Sequence, residues 1–300
     1  MRIVVVALVL GLSSPVLGQD FWAHWGDGRA EMNGYRLTQP RYGVERTGGA
    51  AVLIFVTEDF SDSLRVKADP GKHPASDVYP VLKLNALRHF QTGIYDYNVM
   101  TSVFARVAAG WPIAKASFSS QEWCGQVFHQ LLPREGKVGG VYHSYFDGEA
   151  DGRDDLPLPE GGVFQDALPI LLRGWRSEYL KPGESRTVPF LPSLLASRLG
   201  HRPLAWTKAT IARSAAPGKV AGPAGSFEAW TWTVAEEGGP KTTYRIEAAP
   251  PYRLVGWSSD AGEEAVLLGS TRLAYWKLNG PEGTRHLEAM GLKVPSRTLR

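Results

Sequence analysis

The chain has 300 residues, 43% of them hydrophobic and 21% charged, close to the average of folded proteins, which excludes disordered, collagen-like and coiled-coil classes. Lys and Arg number 33 against 30 Asp and Glu, a formal net charge of +3, so there is no electrostatic footprint for nucleic acid. With 33 Gly, 21 Pro, 10 Trp and 11 Tyr, the composition predicts a turn-rich, aromatic β protein.

Residues 1–18 read as a signal peptide. Arg2 is a short positive region, Ile3 to Leu12 form an apolar run, Pro15 breaks the helix, and Val16-Leu17-Gly18 ends on a small residue. The run is shorter than the roughly 20 apolar residues of a membrane span, and no later segment reaches that length. The expectation is an exported protein, periplasmic or extracellular, with no transmembrane span after processing. No Cys stands at the end of the apolar run, so lipid anchoring is not expected. Cys124 is the only cysteine. No internal disulfide is possible, and stability rests on a large core, which a chain of this length can bury.

Phe21, Trp22 and Trp25 have helical or turn spacing, and Gly26-Asp27-Gly28 is a turn. Residues 19–146 then form an N-terminal β region. Glu31 to Leu37 and the apolar run Ala50 to Thr57 are strands, and Pro70, Gly71, Pro74 and Pro80 mark a loop. Further strands are expected over Val81–Phe90, Gly93–Ala105, Ala114–Gln121, Trp123–Leu132 and Lys137–Tyr145. Ala114, Ala116 and Phe118 alternate with Lys115, Ser117 and Ser119, the period of a half-buried strand. Residues 147–204 are an acidic loop followed by a short helical connection. Asp147 to Gly162 is polar and turn-forming. Phe164, Ala167, Leu168, Leu171 and Leu172 recur at three and four, as do Leu191, Leu194, Leu195 and Leu199, suggesting two short helices. Residues 205–300 return to strands, over Ala205–Arg213, Gly225–Val234, Lys241–Ala248, Arg253–Ser258 and Glu264–Trp276. The fold class is therefore mainly β: a strongly curved antiparallel sheet, or a half-barrel, with one or two short helices in the middle. The two β regions could form one continuous domain.

Val220-Ala221-Gly222-Pro223-Ala224-Gly225-Ser226-Phe227-Glu228-Ala229-Trp230 resembles the start of a strand in a periplasmic domain-of-unknown-function family. Thr243-Tyr244-Arg245, Pro250-Pro251-Tyr252-Arg253-Leu254-Val255 and Leu267-Leu268-Gly269-Ser270-Thr271-Arg272 resemble its later strands. The resemblance covers residues 205–276 and implies a half-barrel like that of the lipoprotein carriers. Thr57-Glu58-Asp59-Phe60-Ser61, Phe90-Gln91-Thr92-Gly93-Ile94-Tyr95-Asp96-Tyr97 and Ser120-Gln121-Glu122-Trp123-Cys124-Gly125 are similar to tracts of uncharacterised exported bacterial proteins. Neither resemblance brings an assigned catalytic residue with it.

Candidate chemistry is sparse. Asp147, Glu149 and Asp151 with Gly152 stand like the first positions of a calcium loop, with Asp154 nearby. Leu158 occupies the place of the bidentate Glu. Glu58, Asp59 and Asp62 form a carboxylate cluster that could serve glycoside hydrolysis. Cys124, with His129 and His143 as the nearest bases, reads more simply as a half-buried strand residue. Trp230 and Trp232 share a strand face and could line a concave sheet. The favoured expectation is a non-enzymatic envelope protein binding a lipid-like or apolar ligand, or an envelope partner, on a concave face. A secreted hydrolase using a carboxylate pair and a structural or interaction module stabilised by Ca2+ are the alternatives.

Overall fold

A computed structural model describes residues 17–293. The expected leader lies outside the described residues up to residue 16, and helix α1 (Leu17–Trp25) runs across its expected cleavage point. Strands β1 (Ala30–Arg41), β2 (Val44–Ser61), β3 (Val78–Thr92), β4 (Tyr95–Arg106), β5 (Ile113–Glu122), β6 (Gly125–Arg134), β7 (Lys137–Ser144) and β8 (Asp151–Pro157) form an antiparallel meander. A connection follows, with β9 (Val163–Phe164), α2 (Leu168–Leu171), β10 (Ser185–Leu191) and α3 (Leu194–Leu199). Strands β11 (Thr207–Arg213), β12 (Gly218–Gly222), β13 (Gly225–Glu236), β14 (Lys241–Glu247), β15 (Leu254–Ser259) and β16 (Glu264–Leu273) complete the β structure.

All sixteen strands belong to one sheet. Its path runs from β8 back to β1, crosses to β16, and continues through β15, β14, β13, β11 and β10 to β9. The two β regions are thus joined by the first and last strands, with Ala30 opposite Leu273 and Thr38 opposite Glu264. The sheet is open, with β8 and β9 at its edges. It curves into a cup whose inner face follows the alternation of the sequence: Leu82, Leu84 and Phe90 on β3 are buried, as are Val99 and Val103 on β4 and Ala116 and Phe118 on β5. Burying each large apolar side chain stabilises the fold by about 1.5–3 kcal/mol.

The connection lies in the hollow of the cup. Leu168, Ile170, Leu171, Leu172, Leu194 and Leu195 belong to the same core cluster as the inner strand residues. Only part of the predicted first helix forms. Val163–Phe164 pairs in parallel with Phe190–Leu191, a 3-10 turn follows at Gln165–Ala167, and α2 begins with Pro169 in its first turn. The expected second helix divides into β10 and α3, separated where Ser193 caps α3 by accepting bonds from Leu195 N and Ala196 N. The acidic stretch is also not wholly a loop, since Asp151–Pro157 is the edge strand β8. Its exposed Asp151, Arg153 and Asp155 are the charges that protect a sheet edge from pairing with other chains.

On the outer face a 3-10 segment, Pro281–Met290, crosses β1 and β16, with Met290 packed against Ala30, Met32 and Val56. Two glycines directly opposite each other, Gly34 and Gly269, permit this approach. A Cβ on Gly34 would lie 2.2 Å from Met290 O, and one on Gly269 would lie 2.4 Å from Ala289 O. Gly34→Ala is expected to displace the segment and lower stability by about 1–3 kcal/mol, measurable by urea unfolding. Among the described residues no helix is long and apolar enough to cross a membrane.

Candidate functional site

The closed end of the cup is sealed by an aromatic plug. Phe21 and Trp25 of α1 meet Trp111 of the β4–β5 turn, Trp175 of the connection and Phe55 of β2. Arg173 enters this plug with its side chain fully buried, and its Nη2 donates to Glu31 Oε2 at 2.8 Å and to Pro251 O at 2.7 Å. Its guanidinium lies over the Phe55 ring at 4.6 Å and the Trp25 ring at 5.3 Å. Asn33 Nδ2 donates to Glu31 Oε1 at 2.8 Å, and His24 stacks on Trp175. Burial acts to raise the Glu31 carboxyl, but the Arg173 charge, the bonds from Arg173 and Asn33 and the His24 ring 3.7 Å away outweigh it and hold it at about 2. This ion pair ties the connection to β1.

Towards the other end the packing opens into a cavity of about 520 Å3. Its floor is the inner sheet face, with Leu53, Leu84, Ala86 and Arg88 on one side and Tyr244, Leu254 and Trp257 on the other. Its cover is the connection, through Gln165, Asp166, Leu195, Leu199 and Leu204. It reaches the β1–β2 turn at Tyr42-Gly43, the β13–β14 turn at Gly238–Pro240 and the β15–β16 turn at Ala261.

The walls also carry polar groups, and those around Arg88 form a connected cluster. Arg88 Nη1 donates to Gln39 Oε1 at 3.1 Å and to Glu263 Oε2 at 3.0 Å, and Trp257 Nε1 donates to Glu263 Oε1 at 2.5 Å. Arg88 also lies 5.7 Å from the centre of the Trp257 ring. Burial raises the Asp166 carboxyl, opposed by the bonds from Leu194 N and Ser193 and by the Arg88 and His129 charges. Burial likewise raises Glu236, opposed by Arg202. In both cases burial acts against the charged form. Burial pushes the Tyr244 phenol up as well. At the mouth, Arg41 Nη1 donates to Leu199 O at 2.5 Å and Arg41 Nε to the Tyr97 hydroxyl at 3.2 Å, fastening the cover to the sheet.

The residues singled out in the sequence fall elsewhere. Trp230 and Trp232 lie beneath the Arg213 guanidinium, at 3.9 and 5.4 Å from their ring centres, and neither lines the cavity. Glu58 and Asp59 point to opposite faces of β2. Glu58 accepts from Lys83 Nζ, and Asp62 pairs with Arg65 beyond the strand end. The acidic run is split among separate partners. Glu149 bonds Ser144, Arg198 and His201, Asp151 pairs with His143, Asp154 pairs with His129, and exposed Asp147 lies in the β7–β8 turn. Among the described residues no group of three or more His, Cys, Asp or Glu is placed to hold a metal ion. Phe128, not His129, stands opposite His143, so the two histidines take opposite faces. Cys124 is exposed in the β5–β6 turn rather than half-buried, and Glu122 pushes its thiol up, away from a nucleophilic thiolate.

Arg88, Gln39, Glu263 and Asp166 were missed because they are distant in sequence. Their signal was a polar residue inside an apolar stripe: Arg88 follows Leu82, Leu84 and Ala86 in the alternation of β3. Glu31 and Asn33 interrupt the inner stripe of β1 in the same way. No protein-family profile, curated protein or solved structure matches the chain.

Proposed function

We propose that this protein is an exported binding protein for a lipid-like amphiphile, held in the hollow of its curved sheet. The cavity carries the reading. At about 520 Å3 it falls within the roughly 300–1,000 Å3 typical of small-molecule sites. Leucine walls suit a hydrocarbon chain, and the Arg88 cluster suits a polar head. Both Arg88 bonds use Nη1, and a guanidinium carries five N–H donors, so Arg88 has donors to offer. The leader-like residues 1–18 support export.

The test is titration of the purified protein with N-phenyl-1-naphthylamine, followed by displacement with oleate. A saturable isotherm with one site per chain is expected, and oleate should reverse it. A linear, non-saturating signal would reject the cavity as a ligand site.

A further inference from the structure

Strand direction alternates along the meander, so the hairpins β1–β2, β3–β4, β5–β6 and β7–β8 all turn at one end of the sheet. The cavity reaches that same end, since Tyr42-Gly43, Gly238–Pro240 and Ala261 line it. Each of those hairpins carries a large side chain at or beside its turn, held mostly in water: Tyr42 is 61% exposed, Ile94 82%, Trp123 68% and Tyr145, at the foot of its turn where its N–H still donates to Gln126 O, 76%. The first three sit in two-residue loops, Tyr42-Gly43, Gly93-Ile94 and Trp123-Cys124. Such loops ordinarily take small polar residues, so apolar side chains there are not explained by the turns. Tyr42 is tied back through its hydroxyl to Tyr97 and Tyr95, but core packing does not explain the exposure of Ile94, Trp123 and Tyr145.

The geometry points to a docking surface for a zwitterionic phospholipid bilayer, with these tips as the inserted prongs. Neighbouring hairpins are two strand spacings apart, about 10 Å; Trp123 and Tyr145 border one open surface hollow with Phe128, and Ile94 stands outside it. A bilayer interface admits all of these side chains at once, whatever their spacing. Trp and Tyr favour that interface because an apolar ring and a polar edge are both satisfied there. Tip charges are mixed, with Arg41 beside Tyr42, Glu122 beside Trp123 and Asp147 near Tyr145, so attraction to anionic lipid is not the driving force. This orientation sets the cavity mouth against the membrane, letting an amphiphile pass between bilayer and cavity without crossing water. The inference rests on the ligand reading above.

The experiment is flotation of the full chain with phosphatidylcholine vesicles. The native protein is compared with an Ile94→Ser/Trp123→Ser/Tyr145→Ser variant. None of the three residues lines the cavity, so dye uptake reports the ligand reading independently. Both proteins carry the same N-terminal segment, and its contribution cancels. The native protein should float in low salt and equally in 1 M salt, where screening acts within about 3 Å. The variant should lose at least tenfold in partitioning with dye binding unchanged. Leu64→Ser/Val66→Ser, which alters the exposed pair in the β2–β3 connection at the opposite end, should float like the native protein. Equal flotation of native and tip variant would overturn the docking surface. So would a native dimer, seen by light scattering, that the tip substitutions dissociate. Dye binding without flotation would reject docking alone, and absence of dye binding would reject the ligand reading beneath it.

Discussion

Arg173→Met is expected to lower the stability of the fold by about 3–5 kcal/mol, the cost of leaving a buried charge without its partner. Methionine fills most of the volume but leaves Glu31, 1% exposed, facing Trp25 and Phe55 with only Asn33 and His24 for compensation. Replacing both members of the pair removes the stranded charge, so Glu31→Met/Arg173→Met should be more stable than Arg173→Met alone. Urea unfolding of the native and variant proteins, followed by near-UV circular dichroism of the aromatic plug, gives both values. The same pair sets an acid limit. Glu31 is held at about 2 against an ordinary 4.5, which corresponds to about 3 kcal/mol of stabilisation. Because the folded value is the lower one, that stabilisation is complete above pH 4.5 and is lost as pH falls towards 2. In Glu31→Gln this component of the acid dependence should vanish, leaving a flatter stability profile over that window.

Ala86→Trp is expected to abolish dye and oleate binding, with affinity falling at least tenfold, while the protein stays folded. Ala86 stands between Leu84 and Arg88 on the inner stripe of β3 and borders the cavity. A tryptophan there would occupy space that is otherwise open, rather than overpack a closed core. The change in melting temperature should stay within about 4 °C, the shift that roughly 1 kcal/mol produces in a domain of this size. A filled cavity with unchanged affinity would place the ligand elsewhere on the molecule.

The meander was legible because its inner and outer faces differ. Ala116 and Phe118 are buried in the inner core while Lys115 and Ser117 are not, so the alternation survives from sequence to fold, except that Ala114, at a bulge, packs instead with Phe60 and Val81. Strand β8 was not legible, because an edge strand protected by Asp151, Arg153 and Asp155 has the composition of a loop. The connection misled in another way. Phe164, Ala167, Leu168, Leu171 and Leu172 are all buried, but their three-and-four spacing comes from a strand, a 3-10 turn and one short helix covering a concave surface. Exposed Cys124 shows the reverse limit, since a small apolar residue was free to occupy a tight turn. The cavity was the least legible feature. Arg88 and Glu263 are separated by 175 positions, and only the closure of β1 on β16 brings their strands to the same hollow.

The most direct test of the account is native mass spectrometry of the freshly purified protein beside Ala86→Trp. The account predicts that the native protein carries a co-purifying amphiphile, one per chain, which organic extraction releases and which Ala86→Trp lacks. A native protein that is bare, and that stays bare after incubation with oleate, would contradict it.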